Sequence, residues 1–241
     1  MQEFRIGGAS SYGTSLGAVE RLSGKFVHML VFGLALLGSE PAFAQTSAAI
    51  DTRPIKVVAL GDSLTAGYGL PSTDAFPVKL QKALKSKGIE VEMINAGVSG
   101  DTSSGGRDRL EWSVPEGTQA VIVELGANDA LRGTDPAVTR AALNDIVARL
   151  KARGIAVLLC GMLAPPNYGN DYAARFNAIY PDLAKSFGIT LYPFFLDGVA
   201  ADAKLNQPDG MHPTAEGVDI IVQKMLPTVK AFLGAISRQP S

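Results

Sequence analysis

Short apolar runs alternate with longer segments of helical periodicity along this 241-residue chain, and that alternation leaves few folds open. The runs are Ile55–Leu60, Val91–Ile94, Ala120–Leu125, Ala156–Met162 and Thr190–Tyr192. Between them, Ala75–Lys87, Ala137–Arg153 and Tyr172–Phe187 repeat apolar residues at helical spacing. In the second segment Val138, Ala142, Ile146, Val147 and Leu150 share one face. Gly88, Gly154 and Gly188 follow these segments as helix stops, and a last helix is expected from Ala215 to Leu233, after Pro213. Strands alternating with helices imply a parallel sheet covered on both faces. Continuous rather than alternating apolar runs agree with that, because such strands have no solvent side. The expected fold class is a three-layer α/β/α domain around a five-stranded parallel sheet.

Ahead of the first run stands a leader. Arg21 and Lys25 give a basic flank, Phe26–Leu37 is mostly apolar, and Ala42-Phe43-Ala44 forms a small-x-small cleavage site. The apolar stretch falls short of the roughly 20 residues that cross a bilayer. Residues 1–44 are therefore read as a signal peptide removed after Ala44, leaving 45–241 as one periplasmic or secreted domain. The leader's Arg5, Arg21 and Lys25 balance Glu3, Glu20 and Glu40, so its removal leaves the net charge at −1. A near-neutral chain lacks the basic face that a nucleic-acid partner needs. Cys160 is the only cysteine and ends the run Ala156-Val157-Leu158-Leu159-Cys160, which reads as a buried strand. No intramolecular disulfide can form, and no cysteine stands at the leader boundary to carry a lipid. The mature chain is expected to be monomeric, with no stable membrane anchor.

Two histidines are present, and His28 lies inside the leader. His212, in Asp209-Gly210-Met211-His212-Pro213, is then the one imidazole that can activate a serine, with Asp209 placed to orient it. Pro213 biases His212 away from helical dihedrals and keeps the pair in a loop. Ser63 follows the first run in Leu60-Gly61-Asp62-Ser63-Leu64, where it should open a turn or short helix beside unpaired backbone N–H groups. In open α/β sheets, ligands bind beyond the carboxyl ends of strands, where the strand order reverses. Polar loops leave the first three runs at that end: Gly61-Asp62-Ser63, Asn95-Ala96-Gly97-Val98-Ser99-Gly100 and Gly126-Ala127-Asn128-Asp129. Gly97 and Asn128 are candidate oxyanion donors, through a backbone N–H and a side-chain amide; a turn glycine and a turn asparagine are the plainer readings. Asp62, Asn95, Asp101 and Asp129 are suited to tying loops together. Arg107 and Arg109 are expected on a solvated helix face. One histidine and a buried cysteine make no usual zinc set, and no phosphate-binding loop follows a strand, so neither metal nor cofactor is expected.

These residues fall into four blocks. Ser63 lies in Gly-Asp-Ser-Leu, Gly97 in Asn-Ala-Gly-Val-Ser-Gly-Asp, Asn128 in Leu-Gly-Ala-Asn-Asp, and His212 in Asp-Gly-Met-His-Pro. In this the chain resembles the SGNH (GDSL-type) hydrolases, across about Ile55 to Leu233. Gly61-Asp62-Ser63-Leu64-Thr65-Ala66-Gly67-Tyr68-Gly69-Leu70 and Pro166-Asn167-Tyr168-Gly169 add a likeness to the bacterial periplasmic thioesterase, arylesterase and lysophospholipase group of that family. The resemblance implies a flavodoxin-like strand order 2-1-3-4-5. It also implies an oxyanion hole made by the N–H of Ser63, the N–H of Gly97 and the side chain of Asn128.

The function expected is an exported serine esterase or thioesterase acting on small acyl esters or thioesters. Val98, Leu110, Leu163, Pro165, Pro166 and Tyr168 lie near loops that can line an apolar groove for an acyl chain. A carbohydrate O-acetyl esterase is the alternative within the same chemistry. A non-catalytic periplasmic ligand-binding protein is the alternative outside it, since a fold alone does not set a function.

Overall fold

The computed structural model describes residues 53–236; the expected signal peptide and its cleavage site lie outside the described residues. In chain order the elements are β1 (Ile55–Gly61), α1 (Ser63–Ala66), α2 (Phe76–Lys85), β2 (Val91–Gly97), α3 (Ser103–Asp108), α4 (Leu110–Ser113), β3 (Ala120–Glu124) and α5 (Ala127–Leu131). They continue with α6 (Pro136–Ala152), β4 (Ala156–Cys160), α7 (Gly169–Asn177), α8 (Ile179–Phe187), β5 (Thr190–Tyr192) and α9 (Ala215–Ile236). The strands form one parallel sheet in the order β2-β1-β3-β4-β5, as the resemblance implied.

Burial follows position in the sheet. Every residue of β3 is buried, and β1 and β4 are buried after their first residues, so these inner strands carry Val, Leu, Ile and Ala on both faces. The edge strand β2 mixes exposed Glu92 and Asn95 with apolar residues, and β5 is only three residues long. β2 runs past the expected Ile94 because its backbone ladder with β1 continues to the Gly61–Gly97 pair, through Asn95, Ala96 and Gly97, which carry no large apolar side chain. The chain steps from β1 outward to β2 in one direction and from β3 to β5 in the other. Right-handed crossovers then put α2 on one face with α9 packed beside it, and α3, α6 and α8 together on the other. The direction changes between β1 and β3. That is the crevice where the polar loops meet.

Helix ends obey local chemistry. Asp135 caps α6 by accepting the N–H of Ala137, with Pro136 in the first turn. Gly88, Gly154 and Gly188 all take positive φ just past their helices. One expected helix is two: Tyr172–Phe187 breaks at Ala178, between α7 and α8. Pro181 has no N–H to give to the carbonyl of Asn177, one turn earlier, so the ladder lapses there.

Leu110 departs from its expected place in a substrate groove. It begins α4 at 0 % exposure, in the same buried core cluster as Leu125 and Val114. Loop proximity in the sequence suggested a groove position, but the turn of α4 rotates the side chain inward. Leu110→Ala is therefore expected to lower stability by about 2–5 kcal/mol, as large-to-small core changes do. Urea unfolding measures that loss, and an unchanged substrate profile in the folded variant is the companion result.

Candidate active site

Ser63 opens α1, directly beyond the end of β1. Asp62 caps the helix through a 3.0 Å bond from the N–H of Leu64 to Oδ1, which fixes where the serine hydroxyl emerges. Ser63 Oγ lies 2.9 Å from His212 Nε2, and His212 Nδ1 lies 2.6 Å from Asp209 Oδ2. These groups are 149 residues apart in sequence between Ser63 and His212, so the fold alone assembles the line.

The loop carrying His212 is folded tightly on itself. Asp209 Oδ1 accepts the N–H groups of Met211 (2.9 Å) and His212 (3.0 Å), Gly210 takes φ +69°, and the carbonyl of His212 accepts from the N–H of Gln207. Three donors on one carboxylate favour its charged form. The N–H of His212 above all, then that of Met211 and the imidazole, hold the Asp209 carboxyl down at about 2 from its ordinary 3.8. Its stabilising contribution is complete above the ordinary value and is lost as pH falls through about 2. At neutral pH Asp209 is an anion that fixes the imidazole's tautomer.

Gly97, at the end of β2, lies against the serine turn. A Cβ there would fall 2.3 Å from the N of Ala66 and 2.8 Å from the carbonyl of Asp62, so only glycine permits this approach. Its N–H donates to Asn95 Oδ1 at 3.0 Å. Asn128, in the first turn of α5, donates its amide to Asp62 Oδ2 (3.1 Å) and to the carbonyl of Asp101 (2.9 Å). Both candidate oxyanion donors are thus brought to the serine turn, and both have acceptors within the protein.

The neighbouring acids tie loops, as expected. Asp129 accepts from the N–H and hydroxyl of Ser103 and from the hydroxyl of Thr139, joining α3, α5 and α6. Asp62 is fully buried, and that burial raises its carboxyl to about 6 against the lowering bonds from Leu64 and Asn128.

Arg109 corrects the expectation of a solvated face. Its side chain is 6 % exposed; it pairs with Asp101 and donates to the carbonyls of Gly61 (2.7 Å) and Ala96 (2.8 Å) and to Ser113 Oγ (2.9 Å). Carbonyls at strand ends need donors, and one guanidinium supplies several in a fixed fork. Arg107 stays half-exposed beside Asp108. Sequence reasoning also passed over Tyr68, whose ring lies 4.6 Å from the His212 ring. Glu124 was passed over as well: it is wholly buried under the serine turn. A lone acid ending an apolar run was the available signal for it.

Of the expected groove residues, Val98, Leu163 and Tyr168 are exposed at this end of the sheet and Pro165 is half-buried. Tyr168 does more than cover space. Its hydroxyl donates to the carbonyl of Leu131 at 2.8 Å and its ring packs on Gly133, clasping the loop after β4 to the loop after α5. Tyr68, Leu131 and Met211 add further exposed apolar surface. A separate hollow of about 400 Å³ lies at the opposite end of the sheet, lined by Gln119, Gly154, Ala156 and Thr190, away from every polar loop described above. Among the described residues no cluster of His, Cys, Asp and Glu could hold a metal ion.

Known proteins share this layout. Residues 59–220 match the GDSL-like lipase/acylhydrolase family. The chain is 40 % identical over 162 residues to an arylesterase of Vibrio mimicus, covering 67 % of this chain and 81 % of that one. It is 39 % identical over 180 residues to thioesterase 1/protease 1/lysophospholipase L1 of Escherichia coli (strain K12), covering 74 % and 83 %. Among solved structures, the SGNH-hydrolase family esterase AlinE4 superposes with a TM-score of 0.64 at 45 % identity, over 74 % of this chain and 96 % of that one. The match spans all four sequence blocks and the sheet from Ala59 onward, and on that extent the chain belongs to the GDSL-like lipase/acylhydrolase family.

Proposed function

We propose that this protein hydrolyses acyl esters and thioesters through an acyl-enzyme on Ser63. The observation that carries the reading is the unbroken line from Asp209 through His212 to Ser63, at 2.6 and 2.9 Å. Hydroxyl and imidazole are within proton-transfer reach, and the anion behind the ring stabilises the imidazolium formed during attack. Ser63 Oγ adds to the acyl carbonyl as His212 Nε2 takes its proton. His212 then returns that proton to the leaving alcohol or thiol, and water activated by the same imidazole releases the acid.

Gly97 and Asn128 are the proposed oxyanion donors, with the N–H of Ser63. Their present acceptors are the Asn95 amide oxygen, a backbone carbonyl and the Asp62 carboxylate. A developing oxyanion is a charged acceptor, and charge-assisted bonds are about twice as strong as neutral ones, so it can draw the neutral-bonded hydrogens toward itself. The names of the relatives, an arylesterase and a thioesterase/lysophospholipase, support aryl esters, acyl thioesters and lysophospholipids as substrate classes. Exposed Val98, Leu131, Leu163 and Tyr168 support an acyl chain over the polar site of an O-acetyl carbohydrate esterase.

Export is part of the proposal. Its support is the Ala42-Phe43-Ala44 site; among the described residues, no helix is long and apolar enough to cross a membrane. Amino-terminal sequencing of exported protein is expected to begin at Gln45, and an uncut leader on that material overturns the cleavage.

An organophosphonate is expected to label Ser63 and to leave Ser63→Ala unlabelled, by intact mass. Loss of Ser63 or His212 should lower kcat by several orders of magnitude, whereas Asn128→Ala should lower it about 10²–10³-fold, as removal of one oxyanion donor does. A His212→Ala protein with near-normal turnover ends the reading.

Chain-length selection gives a separate test. Each buried methylene contributes up to about 0.8 kcal/mol, nearly fourfold in kcat/KM per added carbon. Tyr168→Ala removes both the ring and the clasp to Leu131, and is expected to flatten that rise from C4 to C12 esters while acetate hydrolysis is kept. Tyr168→Phe keeps the ring and should keep the rise; an equal loss at every chain length in Tyr168→Ala would mean the clasp alone matters.

A further inference from the structure

Beneath the serine turn lies a buried acid that the hydrolytic mechanism does not use. Glu124 ends β3 at 0 % exposure. Its Oε2 accepts the hydroxyl of Thr65 at 2.7 Å and the N–H of Asp62 at 3.4 Å, and its Oε1 has no hydrogen-bond partner among the described residues. The approach depends on Gly61. A Cβ at that position would fall 2.1 Å from Thr65 Oγ1 and 2.7 Å from Glu124 Oε2, so the strand end is bare where the acid meets the turn.

The groups facing Glu124 are few. Asp62 and Thr65 come from the serine turn, Cys160 from β4 and Tyr180 from α8; His212 lies beyond Asp62, and the Arg109 guanidinium is engaged on the carbonyl of Gly61. Burial, and then the neighbouring Asp62, push the Glu124 carboxyl well above the ordinary carboxylate range. Two adjacent buried carboxyls cannot both ionise, and the one left with an unpartnered oxygen keeps the proton. Asp62 accepts from Leu64 and Asn128, whereas Glu124 has an oxygen with nothing to accept. The proton belongs on Glu124.

We propose that Glu124 is a positioning residue for the hydrolysis, a neutral carboxylic acid that braces Thr65 and Asp62 and, through Asp62, the amide of Asn128. The proposal rests on Ser63 being the nucleophile. The chain of contacts is short: Glu124 holds the turn at Asp62 and Thr65, Asp62 caps Leu64 with one oxygen, and its other oxygen takes the Asn128 amide at 3.1 Å. Serine turn and oxyanion donor thus share one support. A neutral acid serves here better than a carboxylate, because a further anion behind Ser63 would oppose the oxyanion formed in front of it.

Glu124→Gln keeps the shape and the neutral charge; Glu124→Ala removes the brace. Kinetics on p-nitrophenyl butyrate, with active sites titrated by an organophosphonate, separate positioning from loss of folded enzyme. Glu124→Gln is expected to keep kcat within about threefold of the parent, and Glu124→Ala to lose about 10²-fold in kcat with KM little changed, as a small misplacement of reacting groups does.

Thermal unfolding at pH 5 and pH 8 supplies the second readout. A carboxyl raised in the folded state contributes stability that is complete below its ordinary range and is lost as pH rises toward the folded value. Glutamine has no such proton to lose, so the advantage of Glu124→Gln over the parent is expected to be larger at pH 8 than at pH 5. Equal losses of kcat in both variants, parental kcat in Glu124→Ala, or the same stability offset at both pH values would overturn the proposal. Should Glu124→Ala not fold, the glutamine variant alone decides, through its kcat and its pH-dependent offset. A parent protein without turnover would remove the Ser63 reading and this proposal together, whereas an active parent with an indifferent position 124 removes this proposal alone.

Discussion

The approach of two strand ends without side chains between them governs the rest of this structure. Gly61 and Gly97 face each other as the last pair of the β1–β2 ladder, and each is pressed where a methyl group would collide: Gly61 with Thr65 and Glu124, Gly97 with Ala66 and Asp62. The serine turn can therefore rest directly on the sheet. Strand ends this close leave carbonyls beyond the ladder, and Arg109 answers that need from the far side by bonding Gly61 and Ala96 at once. Its own charge is matched by Asp101, whose carbonyl in turn receives the Asn128 amide. One buried ion pair thus connects the ends of β1 and β2 to the first turn of α5.

The acids around the site divide by environment, not by residue type. Asp209 stands in a loop rich in aimed N–H groups and is held ionised. Asp62 and Glu124, a few residues away in space from the same serine, lie in the closed interior and are pushed the other way. Desolvation disfavours charge, and aimed donors restore it; the balance reverses between the two sides of Ser63. Under the proposed mechanism, the arrangement puts a permanent anion where an imidazolium forms and limits negative charge where an oxyanion forms.

The layers and the strands were legible because inner parallel strands have no polar face, so continuous apolar runs mark them. The meeting of Ser63, His212 and Asp209 was legible because the chain holds one imidazole outside the expected leader and few residues fit the chemistry around it. Other features depend on contacts distant in sequence and had no local signature. Arg109 follows two glycines that blur any helical stripe, so nothing in its neighbourhood said that the guanidinium turns inward. Leu110 was assigned to a groove by nearness to a loop, while a single turn of helix sends it into the core. Tyr168 was read as a cover for an acyl chain, and its hydroxyl bond to Leu131 emerges only when two loops from different crossovers meet. The break at Ala178 was legible in retrospect from Pro181, where apolar periodicity outweighed the missing N–H.

How His212 keeps its distance from a serine so remote in the chain depends on Gln207. Its backbone N–H holds the carbonyl of His212 at 2.7 Å, which closes the loop on itself. Its side-chain amide donates to the carbonyl of Pro213 and, across the cleft, to the carbonyl of Tyr68 at 2.8 Å. Gly69 leaves the room for this, since a Cβ there would fall 2.2 Å from Gln207 Oε1. Tyr68 then leans its ring on the imidazole, so the residue that receives the strut also limits how far the base can swing. A base held only by Asp209 would share the freedom of its own loop. The Gln207 bridge instead references that loop to the segment just after α1, and so to the same turn that aims Ser63. Ser63 and His212 are positioned against one piece of backbone, which is why a contact between residues so far apart in sequence can be as short as a hydrogen bond.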